Sequence, residues 1–328
     1  MTATRLGRLT LVLAVAFIWA ACNRAWAIEG PTIAGPIGGT DIRSAQLPPP
    51  GLYGGLILLG ATAFDFVDGK GNTIPALREA HLTKYLAGPF LYYVPDVKLL
   101  GGSVGLGGIV PAGEQCGRLF IGIPSDCNFG IGDPYVEIDW SRSFGTVRPS
   151  KFPGAFPILQ GLTVLVGFGA VFPAGDYDPT DVTSQALSIG TNVYDFAPTV
   201  ALTYTTRPIL VEGTEFSAKA YLNNYLANPE TDYSSGTLVN VDFAVSERIG
   251  RFQIGLAGFY VIQLADDKQF GIPIPPDGRR AEVLQLGGVL NYDIPEHFAS
   301  LKVKGLTTVI AKNSVRSYGV VLGWIKKF

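Results

Sequence analysis

From Gly51 to Phe328 the sequence alternates with a period of two, segment after segment, and this pattern constrains the fold more than any other feature. In "YDFAPTVALTYT", Tyr194, Phe196, Pro198, Val200, Leu202 and Tyr204 share one face, opposite Asp195, Ala197, Thr199, Ala201, Thr203 and Thr205. "LVNVDFAVS" sets Val239, Val241, Phe243 and Val245 against Asn240, Asp242, Ala244 and Ser246. "RSYGVVLGWIKKF" sets Tyr318, Val320, Leu322, Trp324 and Phe328, with Lys326, against Ser317, Gly319, Val321, Gly323, Ile325 and Lys327. A helix would scatter these residues around its circumference, so the period dictates strands. Forty-one Gly, 14 Tyr and 19 Phe suit strands and tight turns.

Soluble sandwiches alternate too, but with a charged outer face. Here the second face is built from Gly, Ala, Ser, Thr, Asn and Gln with scattered charges, as in a crowded polar lumen. Aromatic residues stand at strand ends, Tyr194 with Tyr204 and Tyr318 with Phe328, as in the girdles at two membrane interfaces. Mean hydropathy is +0.28. Yet no apolar run beyond the N-terminus reaches the ~18 residues of a membrane helix. A sheet in lipid must close on itself, because open edges leave backbone groups unpaired. The sequence predicts an all-β, transmembrane antiparallel barrel of the bacterial outer membrane.

About twelve strands are expected, at 51–66, 79–94, 98–112, 131–143, 159–173, 191–206, 214–226, 236–247, 251–265, 281–292, 298–311 and 315–328. With both termini in the periplasm, the long connections fall mostly on the outer side: "VDGKGNTIPALR", the cysteine segment, "AGDYDPTDVTSQALSIG", "NPETDYSSG" and "DDKQFGIPIPPDGR". "FGTVRPSKFPGAFP" is long for an inner turn, and an extra strand pair there would make fourteen.

Ahead of the barrel, Arg5 and Arg8 precede the apolar stretch Leu9 to Ala21, and "AWA" (25–27) fits a small-x-small cleavage site. Residues 1–27 therefore read as a cleaved secretory signal. A lipoprotein reading through Cys22 lacks the aliphatic residue expected three positions earlier. Residues 28–50, rich in Gly and Pro, form an irregular segment expected to enter the lumen as a partial plug. Of the remaining cysteines, Cys116 and Cys127 are expected to form a disulfide closing a loop in an oxidising compartment.

"GIGDPYVEIDWS", "VFPAGDYDP", "NVYDFAPTVALTY", "YLNNYLANPETDYSSGT" and "DFAVSERIGRFQIGLAGFYVIQLADD" occur in this order. Together they resemble the SphA-like family of the meta-pathway of phenol degradation, a set of predicted outer-membrane transporters. The likeness runs from about Pro48 to Phe328. It implies a barrel of the fatty-acid and aromatic-hydrocarbon channel type that passes hydrophobic, often aromatic, compounds.

Candidate chemistry is sparse. "GGSVG" (101–105) has the G-x-S-x-G form of a nucleophile elbow, but its flanks continue a strand and no helix follows Ser103. His81 and His297 are expected at opposite rims. The acidic loops "AGDYDPTD" and Asp266-Asp267 have the composition of calcium sites, but Asp and Gly serve solvated turns equally well. No metal or cofactor is expected. A net charge of −2, with 16% charged residues, leaves no basic surface for nucleic acid.

The inward polar residues say more. Glu137, Asp139, Lys219, Asp242, Lys302 and Lys304 are expected in the lumen, since a lipid-facing Lys costs about 2–4 kcal/mol near the midplane. Structural ion pairs in a narrow barrel explain them without any transport. An apolar solute would need a greasier path, for which Tyr135, Tyr221 and Phe259 have the inward parity. The expectation is a passive channel for small hydrophobic compounds; the alternatives are a sealed structural or surface-interaction barrel and a barrel lipid hydrolase. The expected partners are outer-membrane lipids, those solutes and the barrel assembly machinery, which reads a terminal aromatic such as Phe328 after an alternating strand.

Overall fold

A computed structural model describes residues 40–328. The expected signal, and residues 28–39 of the expected plug, lie outside them. Twelve long strands form one antiparallel sheet. They are β1 (Gly51–Val67), β2 (His81–Val94), β3 (Gly102–Ile109, resuming as Ala112–Arg118), β4 (Asp126–Ile131, resuming as Tyr135–Arg148), β5 (Ile158–Val171) and β6 (Asp195–Thr205). β7 (Thr214–Tyr225), β8 (Leu238–Ile249), β9 (Phe252–Gln263), β10 (Glu282–Ile294), β11 (Ala299–Lys312) and β12 (Ser314–Lys327) complete the wall. Each strand pairs with its sequence neighbours, and β12 pairs with β1 from Tyr53↔Lys327 to Val67↔Ser314. That last pairing removes both edges of the sheet, the condition for exposing strands to lipid. No helix among the described residues is long and apolar enough to cross a membrane; strands do the crossing.

The alternation places apolar side chains outside. Tyr318, Val320, Leu322 and Trp324 are 41–55% exposed, whereas Val321 between them is buried. Phe196, Val200, Leu202 and Tyr204 are likewise exposed, while Asp195, Thr199 and Thr203 are buried. Aromatic contacts band the outer face, Phe64 against Tyr318 and Tyr194 against Phe172 and Phe196.

Two strands depart from the expected bounds. β3 and β4 run further toward the long-loop end, where Cys116 and Cys127 are directly paired cross-strand residues; the expected disulfide joins them and closes the loop 119–125 between the strands. On the other side β4 extends to Arg148 and β5 begins at Ile158, which shortens the overlong turn to residues 149–157 without an extra strand pair. What remains of that turn is tied down by Glu212, whose carboxylate accepts from Ser150 Oγ at 2.7 Å, from Lys151 N and from Gly250 N. Burial alone would raise the Glu212 pKa, but these donors together hold it below the usual range.

The ladder is also interrupted, although Val110 N still donates to Pro89 O at 3.3 Å and Gly132 N to Pro111 O at 2.7 Å. No ladder pairs form between Phe90↔Ile109 and Ala87↔Ala112, where Pro89 faces Val110-Pro111, and β4 breaks alongside at Gly132–Pro134. Proline lacks the N–H a ladder needs, which accounts for the break. At the loop end a short three-stranded sheet (Tyr233–Ser234, Lys268–Gln269, Ile272–Pro273) and a one-turn helix, α1 (Val182–Leu187), cover the mouth.

The inside-out arrangement has a direct test. Leu322→Arg, on the outer face of the closing strand, is expected to cost about 2–4 kcal/mol in urea titrations of folding into vesicles. A cost below about 0.5 kcal/mol would contradict a lipid-facing Leu322.

Candidate functional site: a divided lumen

The chain enters the barrel before it builds it. Residues 40–45 lie against the inward faces of β6–β11 and are held there by polar side chains. Thr40 donates to Asp242 through its N–H at 3.2 Å and its Oγ1 at 2.9 Å, and shares a 3.0 Å hydrogen bond with the Tyr221 hydroxyl. Asp41 is fully buried and is clamped by Lys302 at 3.2 Å and by Lys304. Arg43 donates its N–H to Glu215 at 2.7 Å, its Nε to Gln253 at 2.9 Å and its Nη2 to Asp293 at 2.8 Å. Ser44 N donates to Ser217 Oγ and Ala45 N to Thr203 Oγ1. Arg43 sits at φ 53 in the turn that lets the segment fold back, closed by Gln46 N donating to Arg43 O.

A second cluster adjoins it. Lys219 pairs with Glu137, and with Asp139 at 3.6 Å, and lies 5.2 Å from the Tyr221 ring centroid. The Tyr135 hydroxyl donates to Glu137 at 2.8 Å and the Tyr92 hydroxyl to Asp139 at 2.7 Å. Tyr92 reaches across β3 because Gly105 and Gly107 leave room: a Cβ at either would lie 2.2–2.3 Å from the Tyr92 side chain.

The predicted inward residues therefore fall into three places. Tyr135, Glu137, Asp139, Lys219 and Tyr221 converge in one network, which Thr40 links to Asp242. Lys302 and Lys304 bind Asp41. Phe259 stands apart, in an apolar cluster with Leu238, Val261, Val283 and Leu306. Sequence reasoning missed Thr40, Asp41, Arg43, Tyr92, Glu215, Arg248 and Asp293. The Glu215 signal was present, since it has the inward parity of Lys219 four residues on; Arg248 reaches Asp293 at 3.4 Å from near the end of β8. Asp41 and Arg43 are carboxylate and cation in a segment otherwise without charge from Gly30 to Gly51, a pattern that marks two anchors.

The other side of the lumen has a different character. On β12, β1, β2 and β3 the inward positions are Val321, Ile57, Leu59, Leu86, Phe90 and Ile109 among small residues, with pairings Ile57↔Gly88, Leu59↔Leu86 and Leu59↔Val321. Ile57, Leu59, Leu86 and Phe90 are half-buried, while the polar wall opposite is nearly sealed. The lumen is divided into a filled ionic half and a partly open apolar lane. Tyr135 and Tyr221, 7% and 1% exposed, border this surface, because Ile109 pairs with Tyr135 and packs against their cluster, whereas Phe259, 9% exposed, lies away from it on β9.

The residues weighed for chemistry are dispersed. Ser103 follows Gly102 at the start of β3, and its hydroxyl accepts from Lys98 Nζ at 2.6 Å. His81 opens β2 at the loop end and His297 lies in the turn before β11, at the terminus end. Glu114, Cys116 and Cys127 lie within 4.8 Å of one another, but the disulfide uses both sulfurs, so this group does not fit a metal ion.

Removing one partner of a buried pair strands the other charge, at about 3–5 kcal/mol. Asp41→Asn and Lys304→Met are each expected to lose most of that in unfolding titrations, and the double variant much less than the sum. Strict additivity would show that the two side chains do not interact.

Comparison with curated proteins finds no match. Solved structures do match in fold. The chain is similar to the COG4313 outer membrane channel from Pseudomonas putida F1, at 13% identity and TM-score 0.70, over 90% of this chain and 100% of that one. Weaker likenesses extend to the beta domain of the Bordetella autotransporter BrkA (11% identity, TM-score 0.48, 85% and 99% covered) and to the P. putida toluene transporter TodX (12%, 0.42, 88% and 93%). A family model described as "Putative MetA-pathway of phenol degradation" matches residues 63–323, and the chain belongs to that family.

Proposed function

We propose that the protein is an outer-membrane channel for passive uptake of small hydrophobic, aromatic compounds, working without catalysis or cofactor. The observation that carries this reading is the half-buried apolar lane along β12, β1, β2 and β3. A sealed structural barrel has no use for accessible Ile, Leu and Phe in its interior, whereas apolar walls with few polar groups suit such solutes. The family description, with its phenol-degradation context, supports the same class of cargo. The ladder break at Pro89 and Pro111 borders the lane, in reach of a solute leaving sideways into the bilayer. Residues 40–45 act as a plug that fills the ionic half and denies it to polar solutes.

Export follows from the N-terminal signal, and insertion from the assembly machinery reading the last strand and Phe328. The long-loop end faces outward and the terminus end faces the periplasm, where Phe328 N donates to Leu52 O at 2.9 Å. Glu137, Asp139, Lys219, Asp242, Lys302 and Lys304 serve in this account as structural ion pairs that hold the plug and disfavour polar cargo. Tyr135, Tyr221 and Phe259 fill the barrel around them.

The test is solute flux. Proteoliposomes are expected to take up phenol or toluene faster than protein-free vesicles, while sugars of similar size stay excluded. Uptake of both classes at protein-free rates would leave the sealed barrel as the better reading.

A further inference from the structure

One lumen cation stands apart from the others. Arg43, Arg248, Lys219, Lys302 and Lys304 all meet carboxylates. Lys84 meets none: among the described residues it has no ion pair and no hydrogen bond. Its direction is fixed by the regular register of β2. Tyr92, eight residues on with no bulge between, reaches Asp139 inside the lumen, and Tyr85, Leu91 and Tyr93 are 49–59% exposed outside. Even-numbered residues of β2 therefore face inward, Lys84 with Leu86 and Phe90.

Lys84 stands at the loop-side limit of the apolar lane. It pairs with Ala61 on β1 and with Gln115 on β3, and Ala61 in turn pairs with Gly319 on β12. Gln115 donates its amide to Ala186 O of α1, which packs with Phe66, Leu77 and Leu119 in an apolar cap beyond the lysine. The Gln115 Oε1 is buried and accepts nothing among the described residues. A long apolar surface thus ends at one ammonium group and one free carbonyl oxygen, beneath a lid.

Lys84 is half-buried, and an ammonium held among apolar groups without a counter-charge is costly to the extent that water is kept from it. A ligand that brings its own negative charge removes that cost. We propose that Lys84 is the anion-binding end of a subsite for amphiphilic monoanions, an aromatic ring or short chain bearing one carboxylate or phenolate. The apolar body lies along Leu59, Leu86 and Phe90, and its oxyanion takes a charge-assisted hydrogen bond from Lys84 Nζ. The unsatisfied Gln115 carbonyl accepts from a protonated form, a hydroxyl or carboxylic acid, so both states of a weak acid are received. This inference rests on the channel reading and narrows its cargo.

Benzoate and benzyl alcohol separate the two claims. Binding is read by calorimetric titration of benzoate into the folded, detergent-solubilised barrel, and permeation as benzyl alcohol uptake into proteoliposomes, for wild type, Lys84→Met and Lys84→Arg. Wild type and Lys84→Arg are expected to bind benzoate similarly. Lys84→Met is expected to bind it about tenfold more weakly, the loss of one charge-assisted contact, with benzyl alcohol uptake unchanged. Equal benzoate affinity in wild type and Lys84→Met, with normal benzyl alcohol uptake, would overturn the Lys84 site and leave the channel standing. Absence of benzyl alcohol uptake in wild type would instead remove the channel reading.

Discussion

Everything in this molecule depends on pairing β12 with β1. In lipid an unpaired N–H or carbonyl has no water to turn to, so an apolar-faced sheet of this length is tenable only when closed. The register from Tyr53↔Lys327 to Val67↔Ser314 closes it. Closure then fixes the direction of every side chain, because inward and outward positions alternate without exception along a regular strand. Leu322 must meet lipid and Val321 must meet the lumen for the same geometric reason.

Closure also creates an interior, and the chain fills part of it with its own N-terminal segment. The filling is ionic. Asp41 between Lys302 and Lys304, and Arg43 against Asp293, place opposite charges where each would be expensive alone. Such pairs contribute little net stability compared with apolar packing, but they specify one position for the segment. The remaining half, lined by Ile57, Leu59, Leu86 and Phe90, is the part of the interior without an internal occupant among the described residues. The division of labour follows from the two materials: ion pairs lock, while an apolar surface accepts passing solutes of many shapes.

Much of this was legible in the sequence. The period of two gave barrel, strand number and facing, since a one-residue slip would expose Asp242 or Lys304 to lipid. Lys219 and Glu137 were recognisable as inward residues from their strands alone. Their partnership was not, because β4 and β7 are separated in sequence and by two strands in the sheet. The anchors Thr40, Asp41 and Arg43 were hidden for another reason: an irregular segment has no periodicity to say which way a side chain points. The interruption at Pro89, Pro111 and Pro134 was present as prolines but reads as a simple strand end until the neighbouring strands are aligned. Lys84 was concealed by its surroundings, a single cation in a strand whose significance lies in the carboxylate that is missing beside it.

The central claim is that solute follows the apolar lane and not the ionic half. Ala61 lies inward on β1 at the loop-side entrance of that lane, between Lys84 and Gly319. The most direct measurement is uptake of a neutral aromatic such as toluene by proteoliposomes carrying wild type or Ala61→Trp, with heat-modifiable gel mobility confirming that each barrel is folded. The account predicts that the indole obstructs the lane and reduces uptake to the protein-free rate. Undiminished uptake through a folded Ala61→Trp barrel would contradict it.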